Sequence, residues 1–223
     1  MAKRAYGQFC GLAHALELIG ERWALLIVRD LLVGPRRFSD LRRGLPRIPT
    51  NILSARLKEL EHNGIVTRRV LPRPASAVVY QLTEYGADLE PAVLILGRWG
   101  ARSMLQPGPE DIVTPDSMIV ALRATFRPEA AEGPPVSFQV HLGPVTVHAS
   151  VAEGELDAGE GPLPEPDLTI VTGPVLRDIM AGSVTPEAAV DGGMVELTGD
   201  PRLLGRFAEL FTIPPAPPSV VPA

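Results

Sequence analysis

The groups best equipped for covalent chemistry are few and scattered in this 223-residue chain. Four histidines, His14, His62, His141 and His148, stand in separate segments, without the close spacing that brings two imidazoles onto one metal. Glu153, Glu155 and Asp157 alternate as a carboxylate run with no histidine beside them, which suits a solvated loop better than a metal or acid–base site. The sequence has no glycine-rich phosphate loop, nucleophile elbow or HExxH motif. One cysteine, Cys10, excludes an intramolecular disulfide and a cysteine-rich zinc site. These residues give no basis for an enzyme, and no cofactor is called for.

What remains is the chemistry of hydrogen bonding and charge, and it concentrates in "LPRIPTNILSARLKEL", residues 45–60. At 100° per residue, Leu57 and Leu60 fall within about 40° of Leu53, with Ile52 at the flank. The same wheel sends Asn51, Ala55 and Lys58 to the opposite side, with Ser54 and Thr50 beside them. Small residues and short hydrogen-bonders on one side of a helix let it sink into a major groove and meet base edges. Arg56 lies at the edge of that side, where it suits a phosphate. An isolated helix of this kind reads equally well as a solvated amphipathic face, so the neighbouring elements decide.

Those neighbours are legible. Leu12, Ala15, Leu16 and Ile19 form one helical face, and Gly20 separates it from a second. That second face holds Trp23, Leu26, Ile27 and Leu31, with Leu25 and Val28 beside them. Gly34-Pro35 stops that helix, Arg36-Arg37-Phe38 is a short extended stretch, and Ser39 reads as the N-cap of a helix over 40–45. Pro46 and Pro49 bracket a turn, Pro49 opens the helix of interest, and Gly64 closes it. "IVTRRVL" and "AVVYQLT" read as a hairpin whose arginines, Arg68, Arg69 and Arg73, face phosphates. Thr83 caps a final helix to about Met104, which Pro91 should bend.

The formal net charge of −5 conceals a division: residues 1–107 carry +7 and residues 108–223 carry −12. Proline is divided too, 7 against 17. This asymmetry points to two domains, one of them suited to an anionic partner. We read residues 1–105 as a DNA-binding domain, 106–115 as a linker, 116–212 as a second domain and 213–223 as a disordered proline-rich tail. No apolar run approaches a membrane span, and "MAKRAYGQFCGLAH" lacks a signal sequence, so a cytoplasmic protein is expected.

The order helix, helix, short strand, helix, helix, hairpin, helix is that of a winged helix-turn-helix. Four motifs sharpen it: Ile19-Gly20-Glu21-Arg22-Trp23, the run Gly34–Leu41, the run Leu53–Leu60 and the run Tyr80–Gly86. Their order and spacing resemble the HxlR-type branch of the MarR-like bacterial winged-helix regulators over about residues 10–100. The resemblance implies a homodimer built from the terminal helices, around 10–19 and 84–104. It also implies that Thr50, Asn51, Ser54 and Lys58 sit at the DNA. Some members of that family sense oxidants through a cysteine just before the first helix, where Cys10 stands; the competing reading is an inert packed thiol.

Beyond Gln106 the alternations Val136, Phe138, Val140, Leu142 and Val145, Val147, Ala149, Val151 read as an antiparallel pair with one buried face. "EGELDAGEGPLPEP" reads as a loop, "DLTIVT" and "MVELTG" as strands, and 117–126, 174–181, 185–190 and 201–211 as helices. Residues 166–211 are similar to the C-terminal part of sterol carrier protein 2-like domains, an α+β fold of helices over an antiparallel sheet. That resemblance implies a tunnel for apolar molecules, lined here by Phe126, Phe138, Val140, Val147, Leu176, Ile179, Met180, Phe207, Leu210 and Phe211. The same residues would serve equally as a solid core.

The expected protein is therefore a sequence-specific DNA-binding transcriptional regulator, read as a repressor. Its expected DNA partners are pseudo-palindromic operators, met by Arg36, Arg37, Pro49, Thr50, Asn51, Ser54, Arg56, Lys58, Arg68, Arg69 and Arg73, and a small apolar effector would control it. The alternative from another class is a lipid carrier whose winged-helix unit serves protein contacts.

Overall fold

A computed structural model describes residues 5–72, 77–104, 106–108 and 110–216. The chain divides into two units, Met1–Val93 and Leu94–Ala223, and the division falls inside a helix, upstream of the segment 106–115 read as a linker.

In the first unit, helices α1 (Gly11–Ile19) and α2 (Ala24–Val33) are followed by strand β1 (Arg36–Arg37), then α3 (Phe38–Gly44) and α4 (Thr50–His62). Strands β2 (Val66–Val70) and β3 (Val78–Leu82) form an antiparallel hairpin, and β1 adds to its other side in the order β1-β3-β2. The core is aliphatic, with Ile27, Val28, Leu31, Leu41, Leu53, Leu57, Leu60 and Ile65 all buried.

Several expectations are corrected here. Helix α3 starts at Phe38, with Arg37 rather than Ser39 as its cap residue, because Asp40 at the third position accepts the Arg37 backbone N–H at 3.1 Å. On α1 only Ala13 is buried; of the apolar face Leu12, Ala15, Leu16 and Ile19, Leu12 and Leu16 are exposed. The single helix expected from Thr83 to Met104 is two, α5 (Glu84–Ala87) and α6 (Glu90–Ala101). Asp88 and Leu89 turn the chain between them, so Pro91 begins a helix instead of bending one, in the first turn where its missing N–H is harmless.

The run Tyr80–Gly86 gains a physical cause. The Thr83 hydroxyl donates to the Gly64 carbonyl at 2.6 Å and accepts from the Gly86 amide at 3.0 Å, so one side chain caps α5 and ties it to the end of α4. Gly86 is required by contact: a Cβ there would lie 2.1 Å from the Ile65 carbonyl oxygen.

In the second unit, α7 (Pro115–Thr125) precedes a five-stranded sheet. Its strands are β4 (Val136–Leu142), β5 (Val145–Ala152), β6 (Glu155–Glu160), β7 (Leu168–Thr172) and β8 (Glu196–Gly199). Helices α8 (Val175–Met180) and α9 (Pro186–Asp191) lie between β7 and β8, and α10 (Leu203–Leu210) follows. The order β6-β5-β4-β7-β8 makes the β4–β7 pair parallel, so the sheet is mixed where a wholly antiparallel one was expected. Strand β6 occupies residues read as a loop, because its acidic and glycine-rich outer positions hide the inward Leu156 and Ala158.

To reach β7 from β6, the chain crosses the polar face of the sheet. Side chains on that face hold the crossover: the Leu163 amide donates to Gln139 Oε1 at 2.9 Å, and Asp167 accepts from the Ser137 amide and hydroxyl at 2.8 and 2.7 Å. Gln139 Nε2 then faces His141 Nε2 at 2.8 Å, and His141 Nδ1 faces Thr146 Oγ1 at 2.9 Å. The opposite face carries the core. Phe138, Phe207 and Phe211 are fully buried there, with ring centroids 4.7 to 6.4 Å apart.

Candidate nucleic-acid interface

Helices α3 and α4 are joined by residues 45–49, a turn pinned from below by Leu45 and Ile48, each 4% exposed. The Ile48 amide donates to the Leu45 carbonyl at 2.9 Å, and Pro49 caps α4 in extended conformation. Leu53, Leu57 and Leu60 seat α4 in the core, the side assigned to them by the helical wheel. Its other side is thereby fixed outward: Thr50, Asn51 and Lys58 are exposed, and Ser54 and Ala55 are half-exposed.

The chemistry offered along that side is specific. Asn51 carries both a donor pair and an acceptor, the combination that fits adenine, and Lys58 is a mobile point charge for guanine or phosphate. Ser54 donates its hydroxyl to the Thr50 carbonyl at 3.0 Å, so the oxygen faces outward chiefly as an acceptor.

The wing places charge beside this helix. In the three-stranded sheet Arg36 and Arg68 flank Tyr80 on either side, and the Arg68 guanidinium lies over the Tyr80 ring, 5.8 Å from its centroid. Arg37 and Arg69 flank Val79 in the same way, both exposed. Arg73 lies outside the described residues. Arg42 and Arg43, which the residue reading passed over, are exposed on the last turn of α3. The density of arginine in "LRRGLPRIP" carried that signal.

Arg56 departs from its expected place. Its side chain is only 15% exposed and its guanidinium pairs with Glu59 on α4 and with Glu21, 3.5 Å away in the α1–α2 connection. It is turned back into the protein and does not stand free at the edge of the helix.

Cys10 is exposed at the N-cap of α1. Backbone N–H groups of Ala13 and then Leu12 hold its thiol below the ordinary cysteine value. The residues expected to line a tunnel in the second unit are together on the apolar side of its sheet. Nine of the ten are buried and Phe126 is half-buried, its ring 5.9 Å from that of Phe211. Phe138, Phe207 and Phe211 contact one another and Phe126 joins them through Phe211, the arrangement of a packed core.

A helix-turn-helix seated by its leucines and followed by an arginine-bearing two-stranded wing defines the winged helix-turn-helix class. A sequence model of the HxlR-like helix-turn-helix family matches residues 18–107. The HTH-type transcriptional regulator YodB of Bacillus subtilis is 42% identical over 94 residues, which are 42% of this chain and 83% of that protein. The uncharacterised HTH-type transcriptional regulator Rv3095 of Mycobacterium tuberculosis is 41% identical over 107 residues, 48% of this chain and 66% of that one. Among solved structures, the redox regulator HypR in its oxidised form matches with 38% identity and a TM-score of 0.39, covering 41% of this chain and 94% of that chain. The chain belongs to the HxlR-like helix-turn-helix family.

Proposed function

We propose that the protein is a DNA-binding transcriptional regulator whose α4 reads base edges while Arg36, Arg37, Arg68 and Arg69 meet phosphates. The observation that carries this reading is the orientation of α4. Three buried leucines lock its hydrogen-bonding side outward, next to a strongly basic wing. The +7 balance of residues 1–107 supplies the long-range attraction such a partner requires.

Two copies act together in this reading, on a pseudo-palindromic operator. Apolar side chains left exposed on both terminal helices support it: Leu12 and Leu16 on α1, and Ile95, Leu96 and Trp99 on α6. The regulator acts as a repressor in the cytoplasm; among the described residues no helix is long and apolar enough to cross a membrane.

We read the second unit as sterol carrier protein 2-like and as the seat of effector control, supported by its β7–α8–α9–β8–α10 order. An apolar effector would enter by parting the phenylalanine cluster, with half-buried Phe126 at its margin. Coupling of about 1–3 kcal/mol between effector and operator is the usual scale for such control. A second signal is favoured by Cys10, whose exposure and lowered pKa suit attack on an oxidant or electrophile.

The test is to sequence the genomic fragments that the purified full chain retains, with and without apolar ligands, and to titrate the best of them across salt. Enrichment of one pseudo-palindrome with a steep salt slope supports the reading. Salt-independent lipid binding with no preferred DNA would overturn it and leave the carrier alternative.

A further inference from the structure

Arg56 sits in the middle of α4, yet its charge is consumed inside the protein. Two carboxylates hold it, Glu59 one turn further along the same helix and Glu21 at 3.5 Å in the connection between α1 and α2. A guanidinium with two carboxylate partners and 15% exposure has little attraction left for a phosphate. What it does have is a grip on the α1–α2 connection.

That connection is itself tightly determined. Gly20 approaches the preceding turn so closely that a Cβ would stand 2.4 Å from the Leu16 carbonyl oxygen. Trp23 adopts φ +80°, a left-handed conformation that large L-residues rarely take, with the Arg22 guanidinium 5.0 Å from its ring centroid. The Glu21 carbonyl accepts the Ala24 amide at 3.0 Å and so starts α2. A second tether reaches the same region from the far end of α4, where Asn63 Nδ2 donates to the Leu18 carbonyl at 3.2 Å. The connection therefore holds α4 at its middle, and the last turn of α1, continuous with that connection, holds α4 at its C-terminal cap.

We propose that Arg56 is a positioning residue. Through Glu21 it fixes the rotation and depth of α4 against the α1–α2 connection, and it does not bind DNA phosphate. The proposal rests on α4 being the DNA-reading helix. It makes Glu21 a determinant of DNA affinity although its charge has the wrong sign for contact with DNA. A bystander carboxylate near a polyanion weakens binding, whereas a carboxylate that holds the reading helix in place strengthens it. The two roles predict opposite signs for the same substitution.

The test uses the full chain and the tightest 30-base-pair duplex that it selects from a randomised pool. Fluorescence anisotropy gives Kd from 50 to 300 mM KCl for the wild type, Glu21→Gln, Arg56→Gln, the double variant, and Arg69→Ala as a phosphate-contact reference. Glu21→Gln and Arg56→Gln are each expected to weaken binding about threefold to tenfold, and the double variant no more than the worse single. Both should leave the slope of log K against log salt at the wild-type value, while Arg69→Ala lowers it by about 1. Discrimination against single base-pair mismatches should fall in both positioning variants. Tighter binding by Glu21→Gln, additive effects, or a slope lowered by about 1 in Arg56→Gln would overturn the proposal. Glu21 is at the surface, so its variant carries the test even where Arg56→Gln loses the fold. A wild type that selects no duplex refutes the DNA-reading helix itself, which is a separate outcome.

Discussion

Replacing Gly86 by alanine should unfold the first unit far more readily than the substitution's small size suggests. The added Cβ would meet the Ile65 carbonyl oxygen at 2.1 Å, its carbon at 3.0 Å and Ile65 Cγ2 at 3.2 Å. Relaxed carbon–oxygen contacts lie near 3.3–3.6 Å, so α5 and the start of β2 must separate by about 1 Å. Both obstacles are main chain, which cannot escape by changing rotamer. Overpacking of this kind costs about 1–3 kcal/mol and sometimes more, against roughly 1 kcal/mol gained by alanine over glycine in a helix. The balance, a net loss of about 1 kcal/mol, lowers the melting temperature of a unit this size by about 4–8 °C. Gly100→Ala in α6 is the matched control, since nothing lies within 4 Å of a Cβ there. It should keep the helical gain and melt no lower than the wild type. Differential scanning calorimetry of the two full-length variants decides the matter. If Gly86→Ala melts at or above the wild type, close approach is not the reason for that glycine.

The interface should respond in two separable ways: Lys58→Ala or Asn51→Ala should relax sequence discrimination, while Arg69→Ala weakens all duplexes alike and lowers the salt slope by about 1 in the same titrations. Phe207→Ala, removing a fully buried ring 4.7 Å from Phe211 and 5.3 Å from Phe138, should cost about 3–5 kcal/mol in urea denaturation. A loss below 1 kcal/mol would instead point to a loosely filled, cavity-bearing site. The Cys10 thiol is held below the ordinary value by the backbone N–H of Ala13 and then of Leu12, so the folded protein carries more thiolate at neutral pH. Its alkylation by iodoacetamide should therefore reach a plateau at lower pH in the folded protein than in urea; superimposable profiles would remove the role of α1.

Helix α4, proposed above to read DNA, was legible as a helix with one buried side because three features agree on it. Leucines at Leu53, Leu57 and Leu60 repeat at helical spacing, Pro49 and Gly64 punctuate its ends, and the basic wing follows within a few residues. Arg56 was misread because a helical wheel places side chains by angle alone. Glu21 lies thirty-five positions away, and only the fold brings its carboxylate alongside. The apolar rows on α1 and α6 were equally visible, but periodicity reports amphipathic character without saying what covers the apolar side. Strand β6 escaped notice because an edge strand needs only two inward side chains, Leu156 and Ala158, to join a sheet. The parallel partnership of β4 and β7 is a matter of topology, for which alternating residues carry no mark.

That partnership sets an order of events for the chain as it folds. Strands β4, β5 and β6 succeed one another through short turns and can zip together locally. Strand β7 follows β6 directly in sequence but finds its place on the far side of β4, after residues 161–167 have crossed the sheet. Its entry must wait for a loop to close over structure already formed, the kind of non-local step that slows folding. Until the Leu163–Gln139 and Ser137–Asp167 bonds latch the crossover, the β4 edge stands open to any other strand. The meander would thus be present early and the complete sheet late, and it is in that interval that the acidic half of the chain is most exposed to misassembly.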